Sequence, residues 1–224
     1  DVLAGSFFML SRWEEYVHPA REAHGRFPAA ASLAVRAGFL ERPVVNEYAA
    51  LMADFFRHLG FEVPSPRRHF RMIYTHDVDH PKLWYGTTDR LRTLAGAALR
   101  RRAAGELKWW LQGPVWQRQD PYDTFDFLMR LSEKEGHPGC FNFLGERPSS
   151  SDCYYPLDHP FVRSLIRQVE ERGHLIGFHP SYESFEQPAL FVAERDSLQR
   201  FCRQPVRSGR QHYLRFSAPH TWQY

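Results

Sequence analysis

The sequence has few cysteines, little net charge and no long apolar run. Three cysteines, Cys140, Cys153 and Cys202, are scattered over 224 residues. Their odd number and the lack of CxxC spacing argue against a disulfide framework or a cysteine metal clamp and favour a reducing, cytoplasmic location. No apolar stretch approaches the roughly 18 residues that span a bilayer, and no signal peptide is recognisable. The net charge of +3 is too small to indicate a nucleic-acid partner.

The two ends of the sequence resemble cut ends. The first residue is Asp1 rather than methionine, and "APHTWQY" at the other end begins what we interpret as a helix. We therefore expect a fragment of a longer chain.

The composition that remains is typical of a globular protein, with 43% hydrophobic and 15% aromatic residues. Near-helical apolar spacing in "FFMLSRWEEY" predicts one helix, and "PVVNEYAALMADFFRHLGFEVP" predicts a second that begins at Pro43 and stops at Gly60. Two prolines in Val63–Arg68 indicate a domain boundary. We predict a small helical N-terminal segment over residues 1–66 and a second domain over residues 67–224.

Strands and helices alternate after this boundary. Four strands are predicted, in "HFRMIYTHD", "GCFNFLG", "HLIGFHPS" and "GRQHYLRF". The helices are predicted in "TDRLRTLAGAALRRRAA", "DPYDTFDFLMRLSEKEG", "HPFVRSLIRQVEERG" and "PALFVAERDSLQRFC". This order favours an α/β fold, with a parallel sheet or barrel and helices outside. In such folds the chemistry takes place at the carboxyl ends of the strands.

Ionisable side chains gather at the ends of three of these strands. In chain order they are His76, Asp77, Asp79 and His80 on the first strand, His179 on the third, and Arg210 and His212 on the fourth. The second strand is the exception, because it offers only Asn142 and Glu146. Parallel strands would bring these ends to one rim, and this convergence predicts a functional site.

The spacing of Asp77 and Asp79 indicates a metal site. Residues two apart in an extended strand point to the same face, so both carboxylates can address one site. Two close carboxylates repel each other unless a cation lies between them. With a divalent metal, one carboxylate is a ligand and the other accepts protons from activated water. A neutral imidazole from His179 is a suitable second ligand for zinc, cobalt or nickel.

Each of these residues also has a structural interpretation. An Asp at a strand end often caps the following turn, and a single His is more often a hydrogen-bonded structural residue than a ligand. Several candidates falling together on strand ends favour a site over these alternatives.

The same residues resemble the polysaccharide deacetylase family, which includes chitin and peptidoglycan deacetylases. The likeness covers nearly the whole chain, through "SRWEEY", "HGRFPA", "THDVD", "DPYDTFDFL", "HPSY" and "RQHYLR". It is similar to one bacterial branch with an extra N-terminal segment. The resemblance implies a deacetylase-like distorted (β/α) barrel that is incomplete at the C-terminus.

The resemblance also implies roles for the acidic residues. "THDVD" is similar to the first family motif, in which Asp77 would be the general base and Asp79 a metal ligand. "GRQHYL" is similar to the third motif, in which Arg210 would orient the base. The family's general acid would lie beyond Tyr224.

The metal ligands that the resemblance implies are incomplete. "HPSYE" is similar to the second motif and supplies His179, but Glu183 stands where the family has a second histidine. We assign the metal to Asp79, His179 and His212, with Glu183 and His80 as alternatives for the third ligand and a site without metal as a further alternative.

The implied reaction is hydrolysis of an N-acetyl or O-acetyl group on a sugar or polysaccharide. Zinc is the expected metal, with cobalt and nickel as alternatives, and Asp77 would take a proton from the attacking water. Two other functions stay open. One is a deacetylase-like protein that binds carbohydrate without turnover, which the missing histidine favours. The other is a metal amidohydrolase acting on a non-sugar amide.

Overall fold

The computed structural model describes most of the chain. The described residues are 2–64, 69–99, 120–145 and 153–223. Three predicted features lie partly or wholly outside them, namely the proline-containing boundary Val63–Arg68, the last part of the helix predicted in "TDRLRTLAGAALRRRAA", and Glu146.

The chain divides into two compact units, and each of them consists of segments that are separated in the sequence. The first consists of Asp1–Arg71, Tyr182–Val192 and Gln211–Tyr224. The second consists of Met72–Ser181 and Ala193–Arg210. The predicted boundary between residues 66 and 67 stays a prediction.

Short helices form the N-terminal part of the first unit. They are α1 (Val2–Leu10), α2 (Trp13–Val17), α3 (Leu33–Arg36) and α4 (Val44–His58). "FFMLSRWEEY" was expected to form one helix, but Arg12 adopts a left-handed conformation with φ 53° and separates α1 from α2. The helix predicted after Pro43 is confirmed as α4, and Gly60 follows it with φ +87°, a conformation that glycine favours.

The later part of the chain alternates strands with helices. The elements are β1 (Tyr74–Val78), α5 (Thr87–Leu99), α6 (Phe125–Lys134), β2 (Gly139–Leu144), α7 (Pro160–Glu171), β3 (Leu175–His179) and α8 (Pro188–Gln199). The three strands form one parallel sheet in the order β1-β2-β3. Three of the four predicted strands are therefore confirmed.

The expected distorted (β/α) barrel is wrong for the described residues. They contain an open sheet of three strands, and the predicted fourth strand is reduced to a single bridge between Gly209 and Phe178. From His212 to Leu214 the chain turns into a 3-10 helix, in which Tyr213 and Leu214 have positive φ values of 57° and 54°. Extended pairing cannot continue through two left-handed residues.

The core of the second unit lies around β2, all of whose residues are buried. Helix α6 packs on β2, and helix α7 packs on β3. The buried residues of α7 recur every three or four positions, which is the spacing that places one helix face on a sheet. They are Val162, Leu165, Ile166 and Val169.

Asp120 organises the segment that follows β1. Its buried carboxylate accepts backbone N–H groups from Leu83 and Trp84, at 2.9 Å each, and from Tyr122 at 3.0 Å. These bonds satisfy donors that no strand or helix satisfies.

No described helix combines the length and the apolar character needed to cross a bilayer.

Candidate metal centre

Three residues of the second unit lie side by side across the sheet. Asp77 is in register with Asn142, and Asn142 is in register with Gly177. In-register residues of parallel strands share a face, so the side chains of Asp77 and Asn142 meet, and the amide of Asn142 donates through Nδ2 to Oδ1 of Asp77 at 2.8 Å. Gly177 makes room for this amide, because a Cβ there would lie 1.9 Å from Oδ1 of Asn142.

The segment Ser208–Arg210 runs beside β3. It places Arg210 near the three residues that lie side by side across the sheet. Phe178 donates its N–H to the carbonyl of Ser208 at 2.9 Å, and Arg210 donates its N–H to the carbonyl of Phe178 at 3.0 Å. Gly209 permits the close approach, because a Cβ there would lie 2.1 Å from the Phe178 carbonyl oxygen.

The guanidinium of Arg210 holds the carboxylate of Asp77. Its Nη1 donates to both carboxylate oxygens, at 3.1 and 3.0 Å, and its Nη2 donates to the hydroxyl of Thr75. Asp77 and Thr75 lie two residues apart on β1 and so share a face. Asp77 is therefore held from two sides, by a charged donor and by the amide of Asn142.

Asp79 has a different partner. Its Oδ1 lies 3.4 Å from Nε2 of His179, whose side chain is 3% exposed. His179 ends β3, and its Nδ1 is hydrogen-bonded to the backbone carbonyl of Arg210. Because a carbonyl only accepts, Nδ1 carries a proton and Nε2 is the atom directed at Asp79.

Two opposing effects set the pKa of His179. Burial by itself would lower the pKa, but the hydrogen bonds to Asp79 and to the Arg210 carbonyl, together with the charges of Asp77 and Asp79, raise it above its ordinary value of 6.5. A metal ion bound at Nε2 would require this nitrogen to be free of a proton.

The pair also fits two ligands of a tetrahedral metal. Zinc binds nitrogen and oxygen donors at roughly 2.0–2.2 Å, which places two donors on a tetrahedral edge roughly 3.3–3.6 Å apart. The distance of 3.4 Å between Asp79 Oδ1 and His179 Nε2 lies within this range. Metal-bound histidines commonly donate their other N–H to a backbone carbonyl, as His179 does here.

The structure thus brings together four predicted site residues within the second unit, and these are Asp77, Asp79, His179 and Arg210. His212 belongs to the first unit, where it begins the 3-10 helix His212–Leu214. Of the alternatives for a third ligand, Glu183 is also in the first unit, and His80 directs Nε2 at Cys153 Sγ, 3.1 Å away.

His76 is not directed at this site. Its ring stacks on Phe141 with centroids 4.9 Å apart, and burial lowers its pKa. No role was predicted for Asn142, although its register with Asp77 and a glycine on the next strand were signals that a strand alignment could have used.

The comparisons with known proteins concern the N-terminal part of the chain. Residues 1–60 match the model of a family described as "Family of unknown function (DUF7033)". No curated protein and no solved structure matches the chain. The resemblance to polysaccharide deacetylases stays a prediction.

Proposed function

We propose that this protein is a metal-dependent hydrolase that removes acetyl groups from N-acetylated or O-acetylated sugars or polysaccharide. The proposal rests on one observation, namely that two acidic residues two positions apart have different partners. Asp77 is held by Arg210 and Asn142, while Asp79 is paired with the buried imidazole of His179. A protein that only binds carbohydrate has no need for a base held in this way beside a pair of metal ligands.

The proposed metal ligands are Asp79, His179 and His212, with zinc as the metal and cobalt or nickel as alternatives. One carboxylate and two imidazoles suit all three ions. His212 follows Arg210 by two residues, so their Cα atoms lie within about 7 Å of each other. The carbonyl of Arg210 is the group that orients His179.

The protein's own residues would then each carry out a different part of the reaction. When bound, a divalent ion polarises the acetyl carbonyl and acidifies water. Asp77 accepts the proton of the attacking water, since its carboxylate is held in place by donors and compensated in charge by Arg210. His179 keeps its Nδ1 proton on a backbone carbonyl and presents Nε2.

The cellular location belongs to the same proposal. None of the three cysteines forms a disulfide, in keeping with a reducing compartment, and we propose a cytoplasmic protein.

One observation favours a second candidate function. Glu183 replaces the second histidine of the family motif, which favours a carbohydrate-binding protein without turnover. Such a protein would bind acetylated oligosaccharides and release no acetate.

The test compares Asp77→Asn with Asp79→Asn and His179→Ala. Asp79→Asn and His179→Ala should weaken binding of zinc or cobalt, as measured by metal content after dialysis. Asp77→Asn should keep the metal and lower the rate of acetate release from acetylated oligosaccharides by about 10²- to 10⁴-fold.

Asp54→Asn is the matched control, because Asp54 lies on the exposed face of α4 and pairs only locally with Arg57. It should change neither metal content nor rate. The proposal is wrong if the unmodified protein binds no divalent metal, or if Asp77→Asn retains full activity.

A further inference from the structure

The side chain of Asn142 is enclosed between the two neighbouring strands. The residue is 2% exposed, and its Nδ2 donates to Asp77 Oδ1 at 2.8 Å. Its own Oδ1 lies 3.5 Å from the thiol of Cys140, a weak donor. Burying an amide costs free energy unless its polar atoms are hydrogen-bonded. Here the side-chain N–H group of Asn142 is hydrogen-bonded to a carboxylate.

The surroundings select one orientation of this amide. If it were rotated by 180°, Asn142 Oδ1 would face a carboxylate oxygen of Asp77, and two acceptors would be in contact. The oxygen instead occupies the space above Gly177, where a Cβ would lie 1.9 Å away. The carboxylate on one side and the missing side chain on the other thus orient the amide.

The two oxygens of Asp77 consequently differ. Among the described residues, Oδ1 accepts from Asn142 Nδ2 at 2.8 Å and from Arg210 Nη1 at 3.1 Å, whereas Oδ2 accepts from Arg210 Nη1 alone, at 3.0 Å. An oxygen with fewer donors has a lone pair left for a further proton.

We infer that Asn142 is a positioning residue for Asp77. By holding Oδ1, it leaves Oδ2 as the oxygen that accepts the proton of the attacking water. The catalytic consequence rests on the proposed function, but the positioning itself rests on the contacts alone. In this role Asn142 touches neither the substrate nor the proposed metal ligands.

The test removes the donor while keeping a side chain branched at Cγ. Asn142→Leu keeps this branched shape in a larger side chain and carries no N–H group, and Asn142→Ala removes both the donor and the volume. For both variants we expect kcat to fall by about 10- to 100-fold, as when other groups that orient an active residue are removed. KM and metal affinity should stay within about twofold.

Cys140→Ala is the control for packing. Cys140 is buried beside Asn142 but donates nothing to Asp77, so this change should lower stability and leave kcat unaffected. If packing were the whole role of Asn142, the leucine variant would keep its activity.

A second readout does not require activity. In a ¹H–¹⁵N spectrum of the unmodified protein, one side-chain amide proton of Asn142 should be shifted downfield by the carboxylate. The shift should vanish in Asp77→Ala and persist in Cys140→Ala. An amide signal that does not respond to Asp77→Ala overturns the inference, whatever the protein hydrolyses.

The remaining outcomes separate the two proposals. Unchanged kcat in Asn142→Leu, in a protein that releases acetate, overturns the inference and leaves the proposed function intact. A protein that releases no acetate but shows the Asp77-dependent amide shift overturns the proposed function and supports the positioning of Asp77.

Discussion

Neighbouring groups give the two acids of "DVD" different chemistry. The carboxylate of Asp77 is 27% exposed and carries the donors of Arg210, whereas Asp79 faces the imidazole of His179. A base needs an open oxygen and a fixed orientation, and a ligand needs a second donor at tetrahedral distance. Because the two aspartates are chemically identical, only their surroundings distinguish them, and this difference supports the proposed roles of base and ligand.

Gly177 is the residue on which this arrangement most directly depends. In Gly177→Ala, the new Cβ would lie 1.9 Å from Asn142 Oδ1 and 3.0 Å from the Cys140 thiol. We expect the free energy of unfolding to fall by about 1–3 kcal/mol through overpacking. Urea denaturation measures the change.

A double-mutant cycle tests the cause. In an Asn142→Ala background the alanine at Gly177 should cost less, because Oδ1 has been removed. Gly96→Ala is the control substitution, since Gly96 lies inside α5 and no atom of the described residues would lie within 4 Å of a Cβ at this position. It should stabilise the protein by about 0.5–1 kcal/mol. Equal costs of Gly177→Ala in both backgrounds would contradict the explanation.

At the scale of elements, the spacing of hydrophobic residues and the positions of proline and glycine predict most of the helices and three of the strands. Pro43 and Gly60 bound α4 because they act locally, through a fixed φ and a left-handed stop. The prediction of the fourth strand was wrong because the alternating pattern of its residues competes with contacts from distant parts of the chain. Arg26, from the N-terminal segment, donates to the carbonyl of Tyr213, where the backbone has turned left-handed.

The candidate site was predictable where it depends on strand ends and not where it depends on lateral contacts. The positions of Asp77 on β1 and of His179 at the end of β3 were predicted as strand positions, whereas Asp79 lies just beyond β1, where strand period no longer applies. The bond from Asn142 to Asp77 requires knowing which residues face each other across two strands, and periodicity alone does not give register. The expectation of a distorted (β/α) barrel came from the family resemblance, and the described strands form an open sheet instead.

An ionic network joins elements of the second unit near the starts of β2 and β3. Arg172, just after α7, donates to both oxygens of Glu133 on α6 at 2.7 Å each. His174 accepts the N–H of Gly139 through Nδ1, so its Nε2 carries the proton that it shares with Glu133 at 3.2 Å. The network connects two helices to two strand starts.

This network predicts a pH dependence of stability. The hydrogen bonds from Arg172 are the main cause that lowers the pKa of Glu133 from 4.5 to about 2; burial opposes them, and the bond from His174 adds to the lowering. A lowered pKa in the folded state contributes stability above pH 4.5, and this contribution is lost as pH falls through about 2. The stability deficit of Glu133→Gln relative to the unmodified protein should therefore be present at pH 7 and shrink as pH falls through about 2.

Urea midpoints at several pH values measure this difference. Glu135→Gln is the control, because Glu135 makes no side-chain hydrogen bond or ion pair with the described residues and should show no pH-dependent difference. A difference between Glu133→Gln and the unmodified protein that is constant with pH would rule out the ionic explanation.

At the scale of the whole molecule, the first unit is assembled from three separated parts of the chain. Between residues 2 and 64 no side chain is fully buried, so this part has no dry core of its own. Among the described residues of the unit, the buried aromatic side chain is that of Phe185, which comes from the segment Tyr182–Val192. Long-range contacts, rather than local helix propensity, must stabilise this unit.

Arg215 joins all three parts. Its guanidinium lies between two aromatic rings, 3.9 Å from the centroid of Tyr182 and 3.6 Å from that of Phe185. It also donates to the carbonyl of His24 at 2.9 Å and to the carbonyl of Tyr182 at 2.6 Å. Arg215 belongs to the C-terminal part of the unit. Its side chain forms hydrogen bonds with both the N-terminal part and the segment after β3.

Arg215→Ala should therefore lower the free energy of unfolding of the first unit by about 2–4 kcal/mol, because it removes two charged hydrogen bonds and two cation–π contacts. Arg215→Lys should lose less, since it keeps the charge but not the planar fork. Hydrogen–deuterium exchange detects the change locally, as faster exchange in residues 20–27 and 182–186. Arg36→Ala is the control within the same unit, because its exposed pairing with Glu14 at 4.0 Å contributes little. Exchange in these two segments that stays unchanged in Arg215→Ala would show that other contacts hold the three parts together.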